Sequence, residues 1–380
     1  MKKLVNLFKN FKISNKIIII LLLPTFLLIF LLYQSIGHLL SQYQLSKNLA
    51  HEASYIQSAS NLLHRLQIER GTSAIYLKSE NDSGAKLNAA RQITDQMLQS
   101  YRKDSEIIIN HNPIPQLSNN IKQTLQLLNQ LSTVRSNISD RNISTLQAIQ
   151  SFTQINHKIL SSYFSIVESV ASDPQAFRLT KSIYTFGQAK ERAGIIRATV
   201  VPILAENQVT PALLQRLITL VATQKQFFNE FNAVAPDNAK EQLKQVLQSP
   251  AGKKVAHILA TISQNDPDAI QGLNTPPSEW FSEITQLINQ MRTIESGLAQ
   301  ATEIYAEQQK SQALLNTIIE AIVLLIDFFN HYPSTYFFYS LFKNSLSDVI
   351  SEAQQIEQGN LEFEEKEDFN HDEIGDLQQQ

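Results

Sequence analysis

Cysteine is absent from this 380-residue chain, which excludes disulfides and thiolate metal sites and leaves the redox compartment open. Glycine and proline are scarce, 10 and 12 residues, which suits long helices rather than turn-rich sheets. No alternating β-branched run with hairpin punctuation occurs, so strands are not expected. An excess of either charge is missing as well: the net charge is −3, and a nucleic-acid partner therefore has no electrostatic support. No phosphate-binding glycine loop, kinase or cyclase signature or HExxH motif is present, so an enzyme is not expected. Asp368, His371, Asp372 and Glu373 lie in an acidic, solvated stretch and read as linker rather than metal site. No metal and no cofactor are expected.

Long apolar runs are what the chain does have. Lys2, Lys3, Lys9, Lys12 and Lys16 precede an uncharged run over residues 17–36, and no acid occurs before Glu52. Roughly 20 apolar residues match a membrane-crossing helix, and the lysines place its N-terminal side in the cytoplasm. A cleaved signal peptide is the competing reading, but no small-residue cleavage site follows the run. A second run, residues 313–340, carries Glu320, Asp327, His331 and Pro333 among aromatic residues such as Tyr336 and Phe337. It reads as a second span whose ionisable groups face a partner helix. The expected layout is a basic N-terminus (1–16), a first span (17–36), an extracytoplasmic sensor (37–312), a second span (313–340) and a tail (341–380).

The sensor segment reads as helices separated by short breaks, at residues 80–84, 111–115, 136–142, 173–174, 206–211, 236–237 and 265–277. Thr210-Pro211 and Asp173-Pro174 combine a capping side chain with a first-turn proline. About eight helices result, which would bury their apolar faces as two stacked bundles with long helices running through both.

Two arginines occupy positions where such helices need leucine. The seam Ile56, Ala59, Leu63, Leu66, Arg70, Ser73, Leu77 and the seam Ile183, Phe186, Lys190, Ala193, Arg197, Val200, Leu204 repeat at core spacing. A buried guanidinium costs several kcal/mol unless an anion meets it. Small residues flank each one: Gly71, Ser73 and Ala74 beside Arg70, and Ala193, Gly194 and Ala198 beside Arg197. A void between two guanidinium forks suits a planar oxyanion, and Thr72 and Ser73 would add hydroxyl donors. The bland alternative pairs Arg70 with a carboxylate of another helix, such as Glu191 or Glu206. Lys190 is expected to reach the bundle edge, and Arg192 to be a solvated charge.

The two motifs, residues 66–77 and 190–198, resemble the nitrate- and nitrite-sensing (NIT) domain family of bacterial receptors. The segments 128–135, 163–174 and 277–291, with the single Trp280, extend that resemblance over roughly residues 55–300. The resemblance implies two four-helix bundles and assigns anion recognition to Arg70 and Arg197, with Arg135 at the pocket rim. In the family a glutamate commonly precedes the second arginine, whereas this chain has Ile196, so ligand identity or affinity would differ. Gln358-Gly359-Asn360-Leu361 and Asp372-Glu373-Ile374-Gly375-Asp376-Leu377 resemble a partial HAMP linker, which implies a homodimer.

Together these features lead to the expectation of an all-α, two-pass receptor in a bacterial inner membrane. It would have two stacked four-helix bundles between its spans, sense nitrate, nitrite or a similar small anion, and relay through HAMP to an unknown cytoplasmic partner, without nucleic acid. Two rival readings remain. One is a non-sensing helical scaffold or a receptor without output. The other is a sensor of a different small anion such as a carboxylate.

Overall fold

The computed structural model describes residues 13–79, 83–111 and 114–358. They form eleven α-helices with no strand among the described residues, so the chain is all-α. In chain order these are α1 Ile13–Lys78, α2 Ala85–His111, α3 Pro115–Asn129, α4 Leu131–Ser139, α5 Thr145–Ser169 and α6 Pro174–Glu206. There follow α7 Pro211–Val234, α8 Asp237–Gln248, α9 Pro250–Ser263, α10 Pro267–Gly272 and α11 Pro277–Glu357.

Capping chemistry sets most of these boundaries. Asp173 accepts from the Gln175 and Ala176 amides, both at 3.0 Å, ahead of Pro174. Thr210 and Ser249 cap α7 and α9 in the same way, each followed by proline, and Ser144 forms a reciprocal capping box with Gln147. Such side chains satisfy amides that have no partner within the helix, each contributing about 1 kcal/mol. Asn207 ends α6 in the left-handed region, at φ 49°. Every expected break falls at a helix end. Two more occur, at Gln130 and Ser249, and the expected break at 265–277 itself holds the short helix α10, which together raise the expected eight helices to eleven.

The chain divides into two compact units, residues 45–311 and residues 1–44 with 312–380. In the larger unit α6 is the central element, packed by α5 and α7 and buried along most of its length. A helix enclosed on several sides needs small and apolar residues around its whole circumference, and Ala176, Gly187, Ala189, Ala193 and Gly194 supply them. The α3–α5 and α8–α9 contacts extend the same core. Trp280, Phe152, Phe186 and Phe231 are its largest apolar members.

In the smaller unit, Glu320 of α11 accepts a hydrogen bond from Ser35 of α1 at 2.8 Å. Many apolar side chains of this unit are exposed, including Phe30, Leu31, Ile322 and Leu325. Among the described residues, one helical stretch, Pro277–Asp327 within α11, is long and apolar enough to cross a membrane. Lys2, Lys3, Lys9 and Lys12, and the HAMP-like pieces from Gly359 onward, lie outside the described residues. The homodimer expectation rested on those pieces.

Candidate anion site

Arg70 on α1 and Arg197 on α6 are both buried, at 3% and 8% exposure, and they line one cavity of about 290 Å³. Two glycines make this possible. A Cβ built on Gly194 would stand 2.6 Å from Arg70 Nη2, and one built on Gly71 would stand 2.8 Å from Arg197 Nη2. Each guanidinium therefore lies against the glycine that belongs to the other arginine's motif. Small residues lie where the two helices approach, and the two cations share the resulting space with Ala74, Ala198 and Phe281.

The two arginines are not equivalent. Arg70 forms an ion pair with Glu191 of α6, with Nη2 donating to Oε2 at 3.3 Å, and its Nη1 also donates to Thr153 Oγ1 at 2.8 Å. Glu191 accepts further bonds from Gln67 Nε2 at 2.7 Å and Asn156 Nδ2 at 3.3 Å. The carboxylate alternative raised for Arg70 thus holds for Glu191, and Arg70 still faces the cavity. Among the described residues Arg197 has only neutral partners. Its Nη1 donates to Thr285 Oγ1 at 3.0 Å, and its guanidinium lies 4.5 Å from the centroid of the Phe281 ring. No carboxylate pairs with it among the described residues. Burial, and then the Arg70 cation, push the Arg197 guanidinium down to about 10 while Glu191 pulls it up, so it remains charged at neutral pH. Stacking on an aromatic face recovers part of the hydration a cation loses on burial.

The remaining sequence candidates are elsewhere. Thr72 bonds the Ile68 and Glu69 carbonyls one turn back, at 3.2 and 3.1 Å. Ser73 is buried with an unpartnered Oγ and is not a cavity wall. Arg135 donates from Nε and Nη2 to Glu69 at 2.7 and 2.8 Å and from Nη1 to Asp95 at 2.6 Å, so it is fully engaged away from the cavity. A helix advances 100° per residue, so Thr72 lies about 200° round α1 from Arg70. Ile196 is buried within the apolar core.

Lys190 does not reach the bundle edge as expected. It is fully buried and paired with Glu295 of α11, which also accepts from Arg292 Nη1 at 3.0 Å. Burial raises the Glu295 carboxyl, but Lys190 and Arg292 outweigh it and hold the group below its ordinary value. Arg192 is half-buried over the Phe227 ring, 4.9 Å from its centroid, and is not simply solvated.

Comparison with known proteins decides the family. The family described as nitrate and nitrite sensing, NIT, matches residues 61–303. The chain belongs to the NIT family. The matched span of this NIT chain contains both arginine motifs and ends within α11. A nitrate regulatory protein of Klebsiella oxytoca is 26% identical over 260 residues, covering 66% of this chain and 63% of the relative; the NIT chain therefore spans less than two thirds of that protein's length. The solved structure of the NasR transcription antiterminator matches 87% of each chain with a TM-score of 0.64 at 23% identity, a likeness of fold.

These findings correct three expectations. A transmembrane receptor relaying through HAMP, and with it a two-pass inner-membrane location, gives way to the company of a nitrate regulatory protein and a transcription antiterminator. Apolar length identifies a helix that could span a bilayer, but it does not say what covers that helix in the working protein. The exclusion of nucleic acid is also withdrawn, because it rested on the net charge of −3 alone. A net charge summed over the entire chain is silent about local patches.

Proposed function

We propose that the chain is a non-enzymatic regulatory protein that binds nitrate or nitrite between Arg197 and Arg70. The observation that carries this reading is the Arg197 guanidinium, buried in a cavity wall and without a paired carboxylate among the described residues. A charge so placed costs several kcal/mol until an anion reaches it. A trigonal oxyanion offers in-plane acceptors to two guanidinium forks at once. Thr153 and Thr285 orient the forks, and Phe281 closes one side. Thr72, Ser73 and Arg135 are left out of the proposed contact set.

Binding would replace a strained pair of like charges with a bridged one, and so favour the helix packing in which α1 and α6 stand at this separation. A ligand shifts such an equilibrium only by its difference in affinity between the two packings.

Calorimetric titration of the full chain with nitrate and with nitrite tests the proposal. Heat is expected from the native protein, and none from Arg197→Met or Arg70→Met. Arg197→Met should also raise stability without ligand by about 1–3 kcal/mol, since it removes a buried ion that lacks a counter-charge. A native protein giving no heat at millimolar anion, or an Arg197→Met variant that binds as the native does, would refute it. Acetate and formate belong in the same titration, because the cavity walls are largely apolar, with Ile149 and Val201 among them, and would accept a small carboxylate.

A further inference from the structure

We propose that Glu191 determines specificity at this site by fixing its net charge at one, so that it takes monovalent anions and rejects divalent ones. The inference rests on the proposed role of Arg70 and Arg197. Two buried cations face the cavity and one buried carboxylate is bound to the first of them. Two positive charges and one negative leave a single positive charge for a ligand to neutralise. Lys78 also touches the cavity, but it is exposed to solvent, where water and salt screen its charge.

Size does not provide this selection. A cavity of about 290 Å³ holds a tetrahedral sulfate as readily as a planar nitrate, since a water molecule occupies only about 30 Å³ in the liquid. Charge does provide it. The cost of moving an ion out of water grows with the square of its charge, so a dianion loses about four times as much hydration as a monoanion. To offset that loss it needs two uncompensated cations, and Glu191 leaves it one. Glu191 is not itself a cavity wall and acts on the ligand through Arg70, whose charge it neutralises.

Glu191 is held in place for this work. Gln67 and Asn156, from α1 and α5, both donate to its Oε2, while Arg70 donates to both oxygens. The carboxylate therefore cannot turn away from the arginine to make room for a second anionic oxygen without abandoning several bonds. It is a resident anion that cancels one of the two cations facing the cavity.

Titration of the native chain, Glu191→Gln and Gln67→Glu with sodium nitrate and sodium sulfate at constant ionic strength tests this. The native chain is expected to bind nitrate at least 100-fold more tightly than sulfate. In Glu191→Gln, which keeps the shape and removes the charge, that ratio should fall at least tenfold through a gain in sulfate affinity. In Gln67→Glu, which adds a carboxylate beside the first, nitrate should weaken at least tenfold while circular dichroism is unchanged.

An unaltered nitrate-to-sulfate ratio in Glu191→Gln overturns the inference. So does a folded Glu191→Gln that binds neither anion, because Glu191 would then only hold Arg70 in position. Should Glu191→Gln fail to fold, Gln67→Glu decides, and nitrate affinity at the native level overturns the charge count. Native protein that binds neither anion sinks the reading of the site itself; native binding of nitrate with an unchanged ratio in the variant sinks only the role of Glu191.

Discussion

Arg197 is a buried and His64 a half-buried basic residue, and they meet the loss of water differently. The Arg197 guanidinium keeps its proton, because its ordinary value lies so far above neutrality that a shift down to about 10 leaves it charged. The His64 imidazole begins at 6.5, and burial, with Lys190 and Arg292 nearby, drives it down to about 3. It is therefore neutral in the fold at any ordinary pH. The unfolded chain takes up the proton as pH falls through about 6.5 and the folded chain does not until about 3. Stability is thus fully present above that upper value and is lost as pH falls between the two. The slope is at most about 1.4 kcal/mol per pH unit. Urea unfolding at pH 7, 6 and 5 should show the native midpoint falling, with a flatter dependence in His64→Gln. Parallel curves would mean that another group controls this range.

At the scale of elements, the close approach of α1 and α6 at Gly71 and Gly194 is the feature on which the site depends. Gly194→Ala replaces a poor helix residue with the best one, worth up to about 1 kcal/mol to the helix. Its new methyl group would stand where Arg70 Nη2 now lies. Since that atom ends a flexible side chain, the fold should survive while Arg70 is displaced from the cavity. The expected result is an unfolding temperature within a few degrees of native and nitrate affinity reduced at least tenfold, read by calorimetry. Native affinity in Gly194→Ala would show that Arg70 does not need this position.

Much at this scale was legible in the sequence. Both arginines stand at core spacing with small neighbours, and the capping residues before Pro174 and Pro211 announced their helix starts. The partners were harder to find. Thr153, Phe281 and Thr285 carry no local mark, because their roles arise from helices far apart in the chain. The burial of Lys190 is hidden from the sequence for the same reason: Glu295, which holds it in the core, is 105 residues away. A long aliphatic stem reads as a route to solvent until its counter-charge is known.

At the scale of the molecule, sequence reasoning was strongest on class and weakest on setting. Helical content and family follow from composition and motif order, both of which are local properties. The expected receptor layout followed from apolar runs, which report hydropathy and nothing of what surrounds it. The 45–311 unit carries both arginines, so anion binding should stabilise it as a body. At about 100 times the dissociation constant the gain is ~2.7 kcal/mol, or roughly 5–10 °C for a domain of this size. Differential scanning fluorimetry across a nitrate series should give a shift that grows with the logarithm of concentration and vanishes in Arg197→Met. A concentration-independent shift, or one retained by the variant, would mark a general salt effect.

The only tryptophan of the chain is fully buried, and its indole Nε1 donates to the backbone carbonyl of Arg197 at 3.0 Å. The protein thus carries an intrinsic fluorophore one hydrogen bond from the residue on which the anion is expected to settle. Any small movement of that turn of α6 would alter the field across the indole and change its emission. Occupancy of the site should then be visible by optical means in the unlabelled protein, with no second chromophore of the same kind to obscure it.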